Sequence, residues 1–268
     1  MKKHIFLSAA LALFATTADA RDPVGTPATA TLLDGWQQAD GTRMGAVRIT
    51  LAPGWKTYWR APGDAGIPPA FDWKGSRNLA GAAVSWPTPK VFSQNGMRSV
   101  GYAQQVTLPI RVAAKQTGQP VQIKLSLDIG VCKDICVPQT LTVTGTLGAQ
   151  GSAPVPAIAA ALAERPYTAA EAGARGVTCR LTPTNDGLAI TAALKLPSAG
   201  GNEHVVIEAG RADVWVSEAI THRSGNTLTA TAQMVANGAG PLALDRSAIR
   251  FTVLGASHAV DLRGCTPD

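Results

Sequence analysis

Two cysteines separated by three residues, in Cys132-Lys133-Asp134-Ile135-Cys136-Val137-Pro138, lie between two stretches that alternate apolar and polar side chains. Upstream runs Val121-Gln122-Ile123-Lys124-Leu125-Ser126-Leu127-Asp128, and downstream runs Leu141-Thr142-Val143-Thr144. Period-two alternation describes a strand with one buried face. Joined by a short connection that contains Gly130 and Pro138, the two read as a hairpin, or as neighbouring strands with a tight crossover. In either arrangement the dithiol stands where a sheet exposes its tip. Chemistry carried by a loop on a rigid scaffold is a common arrangement.

What cysteine means depends on compartment. The chain opens with Met1-Lys2-Lys3, continues through an apolar run from Ile5 to Ala15, and reaches Ala18-Asp19-Ala20. A positive start, a short apolar core and a small-residue cleavage site describe a secretory signal peptide over residues 1–20. The apolar run is well short of the ~20 residues that span a bilayer. The mature chain is therefore expected to start near Arg21, to be exported without membrane insertion, and to carry no lipid, since no cysteine follows the cleavage site. A lysine-poor, alanine-rich composition indicates a bacterium, hence the periplasm. There thiols pair unless something reduces them. All four cysteines fall in the mature chain, and four allow three pairings. The local pair Cys132–Cys136 is preferred, which leaves Cys179–Cys265. The formal charge of +6 includes Lys2, Lys3 and Asp19, so the mature chain carries +5. No Lys/Arg cluster accompanies it, which excludes a nucleic-acid-binding role in favour of solubility and weak steering towards acidic partners.

The rest of the chain reads as short strands with Pro/Gly turns. Residues 21–150 contain Gly45–Leu51, a Pro53-Gly54 turn, the aromatic stretch Trp55-Lys56-Thr57-Tyr58-Trp59-Arg60 and the irregular Pro62–Pro69. Phe71-Asp72-Trp73, the extended Trp86-Pro87-Thr88-Pro89, and Val106–Val112 with an edge-type Pro109 follow. Trp55, Trp59, Trp73 and Trp86 are expected to pack the core rather than form a ligand platform. Residues 151–175 read as a Pro/Ala-rich linker with a short helix from Ile158 to Glu164 that ends before Pro166. Residues 176–268 resume the strand pattern, with turn chemistry at Asp186-Gly187 and Asn237-Gly238. The fold class is all-β: two immunoglobulin-like β-sandwich domains joined by that linker. Cys179 lies in the first strand of the second domain and Cys265 just beyond its last. A bridge between them would restrict the unfolded chain by roughly 4–5 kcal/mol.

A Cys-x-x-x-Cys disulfide closes a small ring, gains little from loop closure and is readily strained, which favours its reduction. Lys133 would lower a neighbouring thiol pKa and Asp134 would oppose it. A structural clip within a hairpin is the plain alternative. A second chemistry is Cu(I), which soft thiolates select. Cys132 and Cys136 would be its ligands, with Met97 as a soft third. His204, His222 and His258 all fall in the second domain, away from the motif. A non-catalytic binding module is a third class. No HExxH, GxSxG or carboxylate cluster supports a hydrolase or a metalloprotease, and no cofactor site is recognised.

Taken together in order, Gly54-Trp55-Lys56-Thr57-Tyr58-Trp59, Pro62–Pro68, Trp86-Pro87-Thr88-Pro89, Gly101-Tyr102 and Val131–Pro138 resemble the periplasmic N-terminal region of DsbD-like and ScsB-like transmembrane thiol reductases. The resemblance covers the first domain; the second matches only in its β character. It implies an immunoglobulin-like domain in which Cys132 and Cys136 shuttle electrons as part of a protein-disulfide reductase system. They would take electrons from a thioredoxin-like or membrane-embedded partner and reduce periplasmic thiol proteins, such as disulfide isomerases or cytochrome c maturation factors. Tyr102 or the Trp55–Trp59 cluster would stand in for the aromatic cap loop of DsbD. Relatives of this type continue into a transmembrane electron-carrying domain and a thioredoxin-like domain. The sequence here has neither, so its electrons are expected from a separate membrane protein of CcdA type. Without such a partner, a copper-tolerance or interaction protein that retains the scaffold is the alternative.

Overall fold

The computed structural model describes residues 26–64, 66–94, 96–148, 151, 153–238 and 242–268; the expected signal peptide lies outside them. Among the described residues the first unit contains β1 (Ala28–Gln37), β2 (Arg43–Leu51), β3 (Lys56–Tyr58), β4 (Ala70–Asp72), β5 (Leu79–Val84), β6 (Lys90–Gln94), β7 (Met97–Ala103), β8 (Gln105–Ala114), β9 (Val121–Cys132) and β10 (Cys136–Leu147). A helix, α1 (Pro156–Ala163), follows. The second unit contains β11 (Tyr167–Thr168), β12 (Gly176–Thr184), β13 (Gly187–Lys195), β14 (His204–Glu208), β15 (Val214–Val216), β16 (Ile220–Ser224), β17 (Thr227–Ala236), β18 (Arg250–Leu254), β19 (Ala259–Arg263) and β20 (Thr266–Pro267). Each unit is an immunoglobulin-like sandwich of two sheets. The first stacks β1-β2-β8-β5 on β10-β9-β3-β7-β6, with β4 added to β9; the second stacks β11-β19-β18-β14 on β15-β17-β13-β12-β20, with β16 added to β17.

Alternation along β9 accounts for its place. Val121, Ile123, Leu125, Leu127, Ile129 and Val131 all point into the first core, where they meet Val47, Ile49, Leu108 and Ile110 from the facing sheet. Strand β2 is buried on both faces, and the reason is α1. Met44 and Ala46 on its outer face pack against Ile158 of the helix. Proline at the helix start and an alanine-rich body favour α1, whose lost first-turn amide would be unpaired in any case. The helix thus lies on the first sandwich. Pro109 corrects an expectation: it sits in β8, an interior strand between β2 and β5, not at an edge. Its carbonyl accepts from the Ser85 N–H at 2.8 Å, just past the last β5–β8 pair, Val84↔Ile110. The missing proline amide therefore faces the end of a neighbour, where no ladder bond is lost.

The two sandwiches share a core-like contact. Val206, Leu254 and Ala259 of the second unit are buried in the first unit's hydrophobic cluster. Around this seam Arg98 pairs with Glu218, and Asp64 accepts the Glu218 N–H at 2.9 Å. His204 lies in the same seam, 7% exposed, with Nδ1 lacking a hydrogen-bond partner and 4.0 Å from Glu218 Oε1. Burial, reinforced by the Arg98 cation, lowers its pKa from 6.5 to about 4. The unfolded chain thus binds this proton near pH 6.5 and the folded chain near 4. The stability that neutral His204 supports is complete above 6.5 and declines as pH falls towards 4. At pH 4.5 the loss should reach about 2–3 kcal/mol. Urea unfolding at pH 7.5 and 4.5 should show a pH loss smaller by that amount in His204→Gln than in the natural chain.

Candidate functional site

The ladder of β9 and β10 runs without interruption to the cysteines. Cys132 and Cys136 are directly opposite, their Cα atoms 4.1 Å apart, and they are joined as a disulfide. The connection is therefore the three exposed residues Lys133-Asp134-Ile135, with the Lys133 N–H donating to the Ile135 carbonyl at 3.2 Å. Gly130 and Pro138, expected in the connection, instead form a cross-strand pair inside the ladder. The sequence hid this because Ile129, Gly130, Val131 and Cys132 are all buried, so the alternation stops although the strand does not. The core covers one face there, and a second set of side chains covers the other.

That outer cover comes from β3 and the loop after it. Register sets Thr57 opposite Val131 and Lys56 opposite Cys132, so Lys56 and Tyr58 share the face that carries Gly130 and Cys132. The Tyr58 ring lies on Gly130: a methyl group at Gly130 would stand 2.8 Å from two ring carbons and 2.8 Å from Ile67 Cβ. Gly66 closes on the ring as well, where a methyl group would stand 2.9 Å from Tyr58 Cδ1. Held in this way, the Tyr58 hydroxyl reaches Cys136 Sγ at 3.2 Å, and because a disulfide sulfur has no proton the phenol is the donor. Burial raises the Tyr58 pKa, which keeps that proton in place at neutral pH. Burial also lowers the Lys56 pKa, and its ammonium lies 5.4 Å from the Phe92 ring centroid.

The two cysteines differ in exposure. Cys132 is 4% exposed, whereas Cys136 is open to solvent at the rim. Ile135, 58% exposed, and Ile67 make an apolar border beside it. An incoming thiolate thus meets Cys136 first. After reduction, the Tyr58 hydroxyl is placed to donate to a Cys136 thiolate. A donor to an ionised group is worth about 1–2 kcal/mol at a part-buried site. Tyr58→Phe should therefore raise the Cys136 thiol pKa by about one and make the pair harder to reduce by roughly 20–40 mV. Thiol titration and redox equilibrium with glutathione measure the two effects separately.

Residues 29–147 match the family described as thiol:disulfide interchange protein DsbD, N-terminal. The first sandwich is a DsbD-like N-terminal domain. The match is to a family described by thiol:disulfide interchange, and it lies within the first sandwich. The structure is also similar to the crystal structure of the N-terminal periplasmic domain of ScsB from Proteus mirabilis, with a TM-score of 0.65 at 21% identity, covering 90% of this chain and 92% of that one. This likeness of fold extends over the second sandwich, which the sequence motifs do not reach. No curated protein gives a significant match. Among the described residues, no helix is long and apolar enough to cross a membrane.

Within the DsbD-like domain the residues singled out from sequence have separate fates. Lys133 and Asp134 lie in the tip loop, and the Lys133 stem runs over Gly54, where a methyl group would be 3.1 Å from Lys133 Cε. Tyr102 is not beside the disulfide. It lies opposite Thr57, on the inner face of the sheet, and its hydroxyl donates to the Pro87 carbonyl at 2.8 Å. Alternation explains the correction, because the disulfide and Tyr58 occupy the outer face. Trp59 is fully buried, and Trp55, Trp73 and Trp86 pack against the core. Met97 is exposed at the start of β7, six residues from Ala103, the residue level with Cys132 through Lys56. That is roughly 20 Å by strand rise, so Met97 is not placed as a third ligand. His204 lies in the seam between the sandwiches, His222 is on β16, and His258 stacks on Tyr167. No group of three or more His, Cys, Asp or Glu side chains placed to hold a metal occurs among the described residues. Cys179 and Cys265 are both buried and bonded, joining β12 to the segment before β20. Sequence reasoning named the Trp55–Trp59 cluster as a stand-in for the cap but did not single out Tyr58 or Lys56 within it. Their signal was the i, i+2 spacing within Gly54–Trp59, which places both on one face of a strand.

Proposed function

We propose that this chain is a periplasmic thiol–disulfide exchange protein that works through Cys132 and Cys136. The observation that carries the reading is an exposed Cys136 at a hairpin tip, bonded to a buried Cys132 and met by a phenol donor. A partner thiolate attacks Cys136 Sγ and forms a mixed disulfide, while Cys132 leaves as a thiolate. The partner's second thiolate then attacks its own sulfur in the mixed disulfide and releases Cys136. Two electrons and two protons pass from the partner dithiol to the pair, and the partner becomes a disulfide. The reduced pair returns them to an oxidised periplasmic protein by the reverse steps. A membrane electron carrier of the CcdA or DsbD type suits the donor side. Thioredoxin-like proteins, including disulfide isomerases and cytochrome c maturation factors, suit the acceptor side. Cys179–Cys265, buried and distant in sequence, serves structure. The secretory leader read at residues 1–20 supplies the compartment.

The test is a redox titration of the folded mature protein with glutathione or dithiothreitol, with alkylation and peptide mapping of the cysteines. Cys132 and Cys136 should convert together while Cys179 and Cys265 stay bonded. Resistance of both pairs until unfolding would make the motif a structural clip and end this reading.

A further inference from the structure

The strand that brings Tyr58 to the disulfide is three residues long, Lys56–Tyr58. Beyond it the backbone is tied down sparsely: Trp59 N–H donates to the Val100 carbonyl at 2.9 Å, and Val100 N–H to the Pro62 carbonyl at 2.8 Å. Two residues past Tyr58 the chain meets the second sandwich. Arg60 donates through Nε to Glu208 Oε1 at 3.0 Å and through Nη2 to Glu208 Oε2 at 3.0 Å, with Thr252 Oγ1 at 3.4 Å. The guanidinium also lies 3.8 Å over the Trp59 ring centroid. The side chains of Arg60 and Glu208 are 13% and 23% exposed, and Val206, Leu254 and Ala259 join the first unit's hydrophobic cluster in the same seam. A planar, two-point pair on a short strand fixes direction as well as position, which a point charge does not.

We infer that the second sandwich positions the redox pair's phenol donor, with Arg60 and Glu208 as positioning residues that act through Tyr58. The inference rests on reading Cys132–Cys136 as the exchange pair. It gives the second unit a task that involves no contact with substrate. The ion pair clamps the end of β3, the clamp holds the Tyr58 ring between Gly130 and Gly66, and the hydroxyl stays within reach of Cys136. Removing Glu208 frees the segment at its less supported end.

The experiment uses the full mature chain and measures the equilibrium constant of the Cys132–Cys136 pair against glutathione. Glu208→Ala should shift it towards the disulfide by about threefold or more, in the same direction as Tyr58→Phe. Glu208→Gln, which keeps one acceptor, should shift it less. In a Tyr58→Phe background, Glu208→Ala should add nothing. A cooperative urea transition with the natural chain's slope reports that the variants are folded. If Glu208→Ala fails to fold, Arg60→Lys, which keeps the charge but loses the fork, carries the same expectation. An unchanged constant in folded variants, or a shift as large without the Tyr58 hydroxyl as with it, would overturn the inference while leaving the exchange reading intact. A natural chain whose Cys132–Cys136 pair does not titrate would instead defeat the exchange reading itself.

Discussion

Cys132→Ala should accumulate a covalent complex with a thioredoxin-like protein whose single active-site cysteine is held as a mixed disulfide with a good leaving thiol, at a level roughly tenfold above Cys136→Ala. The asymmetry follows from burial. With Cys132 removed, Cys136 remains exposed at the tip, bordered by Ile135, and receives a donor from Tyr58. It can enter a mixed disulfide, and no resolving thiol is left within this chain. With Cys136 removed, the remaining Cys132 is covered by the outer face of β3 and its neighbours, and a partner sulfur must displace them before bonding. Disulfide exchange requires attacking, central and leaving sulfurs to come into line, so access at the chain's remaining sulfur sets the rate. The measurement is non-reducing electrophoresis after mixing each reduced variant with that partner, whose small leaving thiol departs as the protein–protein disulfide forms. Equal trapping by the two variants, or more by Cys136→Ala, would reverse the assignment of the attacked sulfur.

Much of this arrangement could be read before the fold was known, and the limits have physical causes. The alternation of Val121–Asp128 and of Leu141–Thr144 specified two strands because one face met a core and the other met solvent. From Ile129 to Cys132 that contrast vanishes, since Tyr58 and Ile67 cover the outer face, and the strand looked like a loop. A short helix over 158–164 was legible from its alanines, and it forms over 156–163, but its docking on β2 was not, because Met44 and Ala46 carry no signal of a helix above them. Tyr102 was an attractive neighbour of the pair by its motif. Only register reveals that it faces inward and that Tyr58, in the Trp55–Trp59 cluster, faces the sulfurs. The seam between the sandwiches was not legible at all. Arg60 and Glu208 are 148 residues apart, and neither carries a local pattern that signals the other.

Gly130→Val should cost about 3 kcal/mol of stability, and Gly130→Ala about 1–2 kcal/mol, through overpacking against Tyr58 and Ile67. Without that contact the sign would be opposite. The Gly130 backbone is not left-handed, and glycine in a strand loses more chain entropy on folding than alanine does, so an alanine with free space should stabilise by about 0.4–1 kcal/mol. Gly81 in β5 is the internal control: a methyl group there meets nothing within 4 Å, and Gly81→Ala should be neutral or stabilising. At Gly130 the same methyl group falls 2.8 Å from the Tyr58 ring and from Ile67 Cβ, inside van der Waals contact. Either the ring lifts or the loop that carries Ile67 moves. Lifting the ring withdraws the hydroxyl from Cys136, so Gly130→Ala should also make the pair harder to reduce, in the direction of Tyr58→Phe. Chemical denaturation separates the stability cost, and glutathione equilibrium reads the redox consequence. If Gly130→Ala were stabilising and left the redox equilibrium unchanged, the ring would not rest on Gly130. The glycine would then have a role in the ladder alone.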